Sequence, residues 1–360
     1  MSDAPQPRPL LDDLPAYKPG LPPAPVPGMT AYKISSNENP YPPLPSVLDT
    51  VRSAAERMNR YPDASNGALR QALSRFLDVP EDWIACGTGS VAVLGQIITA
   101  MCDPDDEVVF AWRSFEAYPI VVTLAAAKGV PVPLTADHRH DLSAMAAAIT
   151  PRTKVVLVCT PNNPTGTVVT DAELRMFLDR VPRRVLVVID EAYVEFGADP
   201  TAPDAMELLR EHPNVCVLRT FSKAYGLAGL RVGYAVAHPP IAVALRMTAT
   251  PFGVNLLAQE AAVSSLEAGD ELDVRVKDLV AERDRVEAAL AEQGWRLPPS
   301  QANFVWFPLG ADTPDFARVC EEQALTVRPY DHDGVRATIG EPEASDRLIE
   351  IAAAWRAGRP

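Results

Sequence analysis

The chain has 360 residues, 47% hydrophobic and 22% charged, an ordinary globular composition that excludes disorder for most of its length. A net charge of −14 argues against a dedicated nucleic-acid or anionic-membrane binder, so any anionic ligand must be met by locally placed cations. The length predicts two domains. The five cysteines (Cys86, Cys102, Cys159, Cys216 and Cys320) are scattered and form no CxxC or Cys/His cluster. Neither a disulfide framework nor a metal site is expected, and a reducing, cytoplasmic setting fits. No apolar run is long enough to span a membrane, and the opening MSDAPQPRPLLDDLP holds no signal-peptide core.

Thirteen of the 36 prolines fall within residues 1–45. A segment so rich in proline cannot be a helix or a central strand, so residues 1–44 are read as an extended arm. Helices are predicted over 45–58 and 66–78, separated by RYPDAS. From residue 83 short β-branched runs alternate with helical stretches. Strands are expected at Trp83–Cys86, Glu107–Ala111, Val130–Leu134, Lys154–Cys159, Arg184–Asp190, Val215–Arg219 and Val232–Val236. Helices are expected near 90–102, 115–128, 141–149 and 170–179. Strands apolar on both faces, joined by helical crossovers, predict an α/β fold with a mostly parallel sheet covered on both sides. That large domain is placed at 45–245. A smaller α+β domain is placed at 246–360. Its expected elements are a helix over 271–293 ended by Gly294, strand Asn303–Phe307, a helix, short strands around Val327 and Val335–Ile339, and a last helix from 343.

Ligands of open α/β sheets bind beyond the carboxyl ends of the strands. The first predicted strand is followed by Gly87-Thr88-Gly89-Ser90 opening a helix, either a phosphate cradle or a plain tight turn. The run matches GxGxxA, but no acidic residue ends the next strand, so a dinucleotide site is rejected. After Cys159 comes Thr160-Pro161-Asn162-Asn163-Pro164-Thr165-Gly166, which reads as a turn, a cis-proline corner or an exposed loop. Asp190 ends its strand before Glu191-Ala192-Tyr193; it is either a helix cap or a carboxylate facing a cation. Lys223 sits in the nearly uncharged run Thr220-Phe221-Ser222-Lys223-Ala224-Tyr225-Gly226-Leu227, where burial would lower its pKa and allow Schiff-base chemistry. Together these loops offer an anion cradle, a strand-end carboxylate and an amine, with Arg231, Thr220 and Ser222 as further phosphate ligands. Pyridoxal phosphate needs that set.

The segments SSNENP, RYPD, TPNNPTG, DEAY, FSKAYGLAGLRVGY, SQANFVWF and GVRATIG resemble the fold type I pyridoxal-phosphate aminotransferases of the histidinol-phosphate aminotransferase family. The resemblance runs from about residue 10 to 355. GTGSVAV and WRSFEAYP, standing where many histidinol-phosphate enzymes carry GNGSDE-like and PTYxxY-like sequence, make the chain most similar to the actinobacterial aromatic amino acid (phenylalanine) aminotransferase branch. The resemblance implies pyridoxal 5′-phosphate on a large domain with a mostly parallel seven-stranded sheet, plus a smaller α+β domain. Lys223 is implied to bind the cofactor aldehyde and carry the Cα proton, and Asp190 to pair with the ring nitrogen. Asn163 and Tyr193 are implied to bond the ring oxygen, and Phe115 to stack on the ring. Gly89, Ser90 and Val91 are implied to hold the phosphate, with Thr220, Ser222, Arg231 and Tyr61. Tyr61 is expected to serve the neighbouring subunit of a homodimer. Arg336 is implied to bind the substrate carboxylate, with Asn37, Tyr17, Tyr32 and Asn163 near the substrate. Arg328 is either a member of that group or an ion pair between parts of the fold.

The implied reaction moves the amino group of an aromatic L-amino acid, phenylalanine, to 2-oxoglutarate, giving the 2-oxo acid and L-glutamate. The alternative is histidinol-phosphate transamination. A pyridoxal-phosphate decarboxylase is a different class that the same site would serve. A ligand-sensing regulator would need an attached DNA-binding module, for which no room is expected.

Overall fold

A computed structural model of the chain describes residues 4–12, 14 and 25–358. In chain order they form β1 (Tyr32–Lys33), α1 (Pro45–Ala55), α2 (Gly67–Leu77), β2 (Ile84–Gly87), α3 (Ser90–Met101), β3 (Glu107–Trp112), α4 (Ala117–Leu124), β4 (Lys128–Pro133), α5 (Leu142–Ala147), β5 (Thr153–Cys159), α6 (Asp171–Arg180) and β6 (Leu186–Asp190). There follow α7 (Ala205–Glu211), β7 (Val215–Thr220), β8 (Gly233–Ala237), α8 (Pro239–Met247), α9 (Leu256–Glu267), α10 (Gly269–Glu292), β9 (Phe304–Phe307), α11 (Thr313–Glu322), β10 (Leu325–Thr326), β11 (Arg328–Tyr330), β12 (Gly334–Thr338) and α12 (Pro342–Ala357).

The main sheet has seven strands in the order β2-β8-β7-β6-β5-β3-β4. The pairs from β7 through β4 are parallel, whereas β8 runs antiparallel to both β7 and β2. All seven strands that the sequence predicts are present, shifted by a residue or two. The helix expected over 115–128 stops at Leu124, and Lys128 already belongs to β4. Helices α7, α8 and α9 were not anticipated: α8 opens on Pro239-Pro240, and α9 is too evenly apolar to show a 3.6-residue stripe.

Alternate residues of the central strands feed two cores. Val156, Val158, Val187 and Ile189 face one layer, while Val155, Leu157 and Val188 face the layer formed by α3, α4 and α8. Burying each such side chain is worth about 1.5–3 kcal/mol. Local signals mark several ends. Thr170 and Glu173 close a capping box on α6, Asn255 caps α9, and Gly294 takes φ +86 after α10, as the sequence predicts.

A second, antiparallel sheet has the order β11-β12-β9 and sets Arg328 directly opposite Arg336. β1 of the arm pairs in parallel with β10, which draws the following residues 34–38 across the end of the main sheet. Helix α9 packs on α1 and α2. Both X-Pro bonds of the TPNNPTG run, Thr160–Pro161 and Asn163–Pro164, are cis, as is Trp112–Arg113.

Candidate active site

The strand ends converge on one edge of the main sheet. β2 delivers Ser90, β5 Cys159 and then Asn163, β6 Asp190 and then Tyr193, and β7 Thr220, Ser222 and Lys223. Because β8 is antiparallel, its leading end reaches the same edge and brings Arg231. These side chains line a cavity of about 250 Å³. Residues 35–38 of the arm and Arg328, Tyr330 and Arg336 of the second sheet complete it.

At one end lies an anion cradle. Ser90 opens α3, so its free N–H groups and the positive end of the helix face the cavity. Gly89 has φ +85, and a Cβ there would lie 2.5 Å from Arg231 Nη2, so the guanidinium rests on the glycine backbone. A Cβ on Gly233 would lie 2.5 Å from the Ser90 nitrogen. Thr220 Oγ1 donates to Ser222 Oγ at 3.0 Å, placing two hydroxyls beside Arg231.

Asp190 is buried at 4% exposure on the floor. Its Oδ2 accepts a 2.7 Å hydrogen bond from the Tyr118 hydroxyl, and Oδ1 has no partner among the described residues. Burial pushes its pKa up to about 6, with the Tyr118 bond and the Ala192 N–H pulling the other way. The Lys223 amine donates to the Ser36 carbonyl at 3.1 Å. Desolvation, helped by the charge of Arg336, draws its pKa down to about 7, so near neutral pH much of it is an unprotonated nucleophile.

Arg336 is 6% exposed. It donates to Asn163 Oδ1 at 2.5 Å, Tyr330 Oη at 2.8 Å and the Ser35 carbonyl at 2.7 Å, and its Nε is unbonded. Among the described residues its polar contacts are all neutral, so a buried guanidinium stands ready for a carboxylate. Asn37, with φ +53, donates from Nδ2 to Tyr193 Oη at 2.8 Å, and burial pushes the Tyr193 phenol up.

Gly89 forms the cradle's backbone, and Ser90, Val91, Phe115, Asn163, Asp190, Tyr193, Thr220, Ser222, Lys223, Arg231, Asn37, Arg328 and Arg336 line the cavity. Arg328 also pairs with Glu116 at 2.7 Å, the ion pair that one reading of it expected. Two expected residues lie elsewhere. Tyr61 is 83% exposed and stacks on Phe252 at 4.7 Å, away from its own chain's cavity. Tyr32 is drawn off by β-pairing with Leu325 and lies under Arg347 at 4.9 Å. Tyr17 lies outside the described residues. Sequence reasoning missed Tyr118, Glu116 and Tyr330; Tyr118 meets Asp190 across 72 positions, a contact no local motif announces.

The unbonded carboxylate oxygen, the anion cradle and the neutralised lysine fit the ring nitrogen, phosphate and aldehyde of pyridoxal 5′-phosphate. The fold and site thus define a fold type I pyridoxal-phosphate transferase. Residues 31–351 match the family model described as aminotransferase class I and II, and the chain belongs to that family. It is 58% identical over 353 residues to an aromatic amino acid aminotransferase of Streptomyces avermitilis, covering 98% of each chain. It is 52% identical over 345 residues to one of Thermobifida fusca, covering 96% of each. Its fold is similar to a histidinol-phosphate aminotransferase of Sinorhizobium meliloti solved with pyridoxal-5′-phosphate, with TM-score 0.83, 30% identity and coverage of 90% of this chain and 91% of that one. The protein is an aminotransferase.

Proposed function

We propose that this aminotransferase moves the amino group of an aromatic L-amino acid, phenylalanine foremost, to 2-oxoglutarate. The observation that carries the reading is Arg336: a buried guanidinium, satisfied only by neutral groups, lining the same cavity as the deprotonatable Lys223. The names of the relatives at 52–58% identity support the aromatic class. Phe115 lines the cavity, and an outer groove sharing Glu116, Arg328 and Tyr330 with it adds Trp112, Pro119 and Ile120 among charged side chains, so a ring finds apolar surface on one part of the wall. A phenyl ring gains roughly 25 cal/mol per Å² buried against such surface.

Pyridoxal 5′-phosphate, when bound, supplies the aldehyde that takes the amino group and the ring that absorbs the electron pair released at Cα. The chain's own residues do the rest. Ser90, Thr220, Ser222 and Arg231 would hold the phosphate, and Phe115 would flank the ring. Asp190 would accept the ring N–H. Asn163 and Tyr193 would hydrogen-bond the ring oxygen. Arg336 grips the α-carboxylate and so orients the Cα–H bond. Lys223 takes the Cα proton as a neutral amine and returns it at the other end of the transfer. 2-Oxoglutarate enters the same site in the second half-reaction and again needs Arg336. We place the enzyme in the cytoplasm, in keeping with five free cysteines.

Steady-state assays with phenylalanine, tyrosine and histidinol phosphate against 2-oxoglutarate test the reading. Phenylalanine is expected to yield its 2-oxo acid and glutamate, without carbon dioxide, with kcat/KM at least equal to that for histidinol phosphate. A preference for histidinol phosphate of about tenfold, or ~1.4 kcal/mol of transition-state discrimination, overturns the aromatic assignment.

A further inference from the structure

Tyr118 has no part in the site described so far except as a neighbour of Asp190. It lies on α4, fully buried, with its ring edge-on to Phe115 at 5.7 Å and to Phe110 at 6.1 Å. Its hydroxyl ends 2.7 Å from Asp190 Oδ2. Two aromatic neighbours and the helix leave the phenol little freedom, so its O–H is held toward Asp190, with the Cys159 thiol beside it. Oδ2 is thereby engaged, and Oδ1 of this cavity-lining residue has no hydrogen-bond partner among the described residues.

We propose that Tyr118 is a positioning residue that holds Asp190 as a weakly basic carboxylate facing the cavity, so that the proton shared with the cofactor's ring nitrogen stays on nitrogen. The inference rests on Asp190 being the ring-nitrogen partner. The physics is that of hydrogen bonding to an anion. A donor to a carboxylate stabilises its charged form and lowers its proton affinity. Burial acts in the opposite sense on Asp190 and dominates, and of the two donors that oppose it, Tyr118 and the Ala192 N–H, Tyr118 is the stronger. Burial and the nearby carboxylate push the phenol's own pKa well above its ordinary value, so it remains a donor throughout the working range of pH. Because Phe115 packs on the Tyr118 ring, the residue also ties the group beside the cofactor's face to the group at its edge.

The test uses the full-length protein loaded with pyridoxal phosphate labelled at the ring nitrogen for NMR. Tyr118→Phe removes one oxygen and keeps the ring. The ring-nitrogen shift is expected to move toward the neutral-pyridine value, and kcat to fall by about tenfold or more with KM within about twofold, the signature of an effect confined to the chemical step. Replacing Tyr118 with a ring-fluorinated tyrosine, whose more acidic phenol is a stronger donor, is expected to move the shift the opposite way. In cofactor-free protein, the Asp190 carboxyl followed by carbon NMR should titrate at higher pH in Tyr118→Phe than in the wild type. Unchanged ring-nitrogen shifts in both Tyr118 variants, while Asp190→Asn moves the shift, overturn the proposal and leave the Asp190 assignment standing. No movement in Asp190→Asn overturns that assignment and the proposal with it. Should Tyr118→Phe fail to fold, the fluorinated variant alone decides: a shift equal to that of the wild type sinks the idea.

Discussion

Lys223 and Asp190 are each held away from their ordinary ionisation by the same cavity, and each shift has a consequence that can be measured without turnover. The Lys223 amine titrates near 7, so the neutral fraction that attacks an aldehyde rises about tenfold between pH 6 and 8 and then levels, whereas an ordinary lysine would keep gaining to about pH 10. The rate of pyridoxal-phosphate capture by the cofactor-free protein, followed by absorbance, should therefore plateau by about pH 8. Borohydride should then fix the cofactor to the peptide that carries Lys223; labelling of another lysine contradicts the assignment. Asp190 is an acid whose folded pKa, about 6, lies above its ordinary 3.8. Its protonated form is favoured by folding, so that contribution is complete below about pH 4 and is lost as pH rises through 6. Asp190→Asn in the cofactor-free protein should accordingly be more stable than the wild type at pH 8, by up to ~3 kcal/mol, with the gap closing toward pH 4. Denaturant melts at the two pH values check this; a variant no more stable at high pH argues against a strained carboxylate. The loaded Asp190→Asn enzyme should nonetheless lose turnover by about a hundredfold, since an uncompensated buried charge pair costs on the order of 3 kcal/mol or more. These two residues were legible in the sequence because each ends or follows an apolar strand in a run with no other reason to be charged. Tyr118 was not, because its meaning lies in a contact that only the packing of α4 on the sheet creates.

The hairpin β11–β12 carries two of the cavity's arginines, Arg328 and Arg336, and is tied by ion pairs to the loop after β3. Arg113 bonds Asp333 at 2.6 Å and Asp331 at 2.8 Å in the turn of that hairpin, and Arg328 reaches Glu116. Arg113 also lies over the Trp112 ring at 4.7 Å. The two aspartates are exposed, so each pair is worth about 0.2–1 kcal/mol. Arg113→Ala should therefore raise KM for amino acid and oxo acid by no more than about tenfold, with kcat less affected. Wild-type KM should climb more steeply with salt than the variant's. Equal salt dependence in both would remove the latch from the account. At this scale the alternation of strands and helices was readable, since buried parallel strands and crossover helices write distinct periodicities. Helices α7 to α9 and the pairing of β1 with β10 were not. Short or evenly apolar helices leave no stripe, and a two-residue strand owes its existence to a partner almost three hundred positions away.

For the whole molecule, Tyr61 poses the main question. An 83% exposed tyrosine stacked on the half-exposed Phe252 presents a flat aromatic surface outward. We propose that it completes the phosphate site of a second copy in a homodimer. Mixing Lys223→Ala chains with chains carrying a disabling Tyr61 substitution should restore activity on subunit exchange, because about one site in four then lacks both changes. Verified exchange without recovery means that the sites are not shared. The reversed strand β8 has its own consequence for how the protein is made. β2, the first strand of the main sheet to be synthesised, has β8 as its partner, nearly 150 residues later. Gly233 nests against the Ser90 nitrogen, and Arg231 lies on Gly89, so the phosphate pocket is stitched from the two ends of that interval. The cradle's Ser90, Thr220, Ser222 and Arg231 all precede β8 in the chain, but the strand that seats them together follows. Arg336 comes a further hundred residues on. The phosphate pocket can thus close only once β8 has joined β2, and the arginine end of the cavity only once β12 is in place.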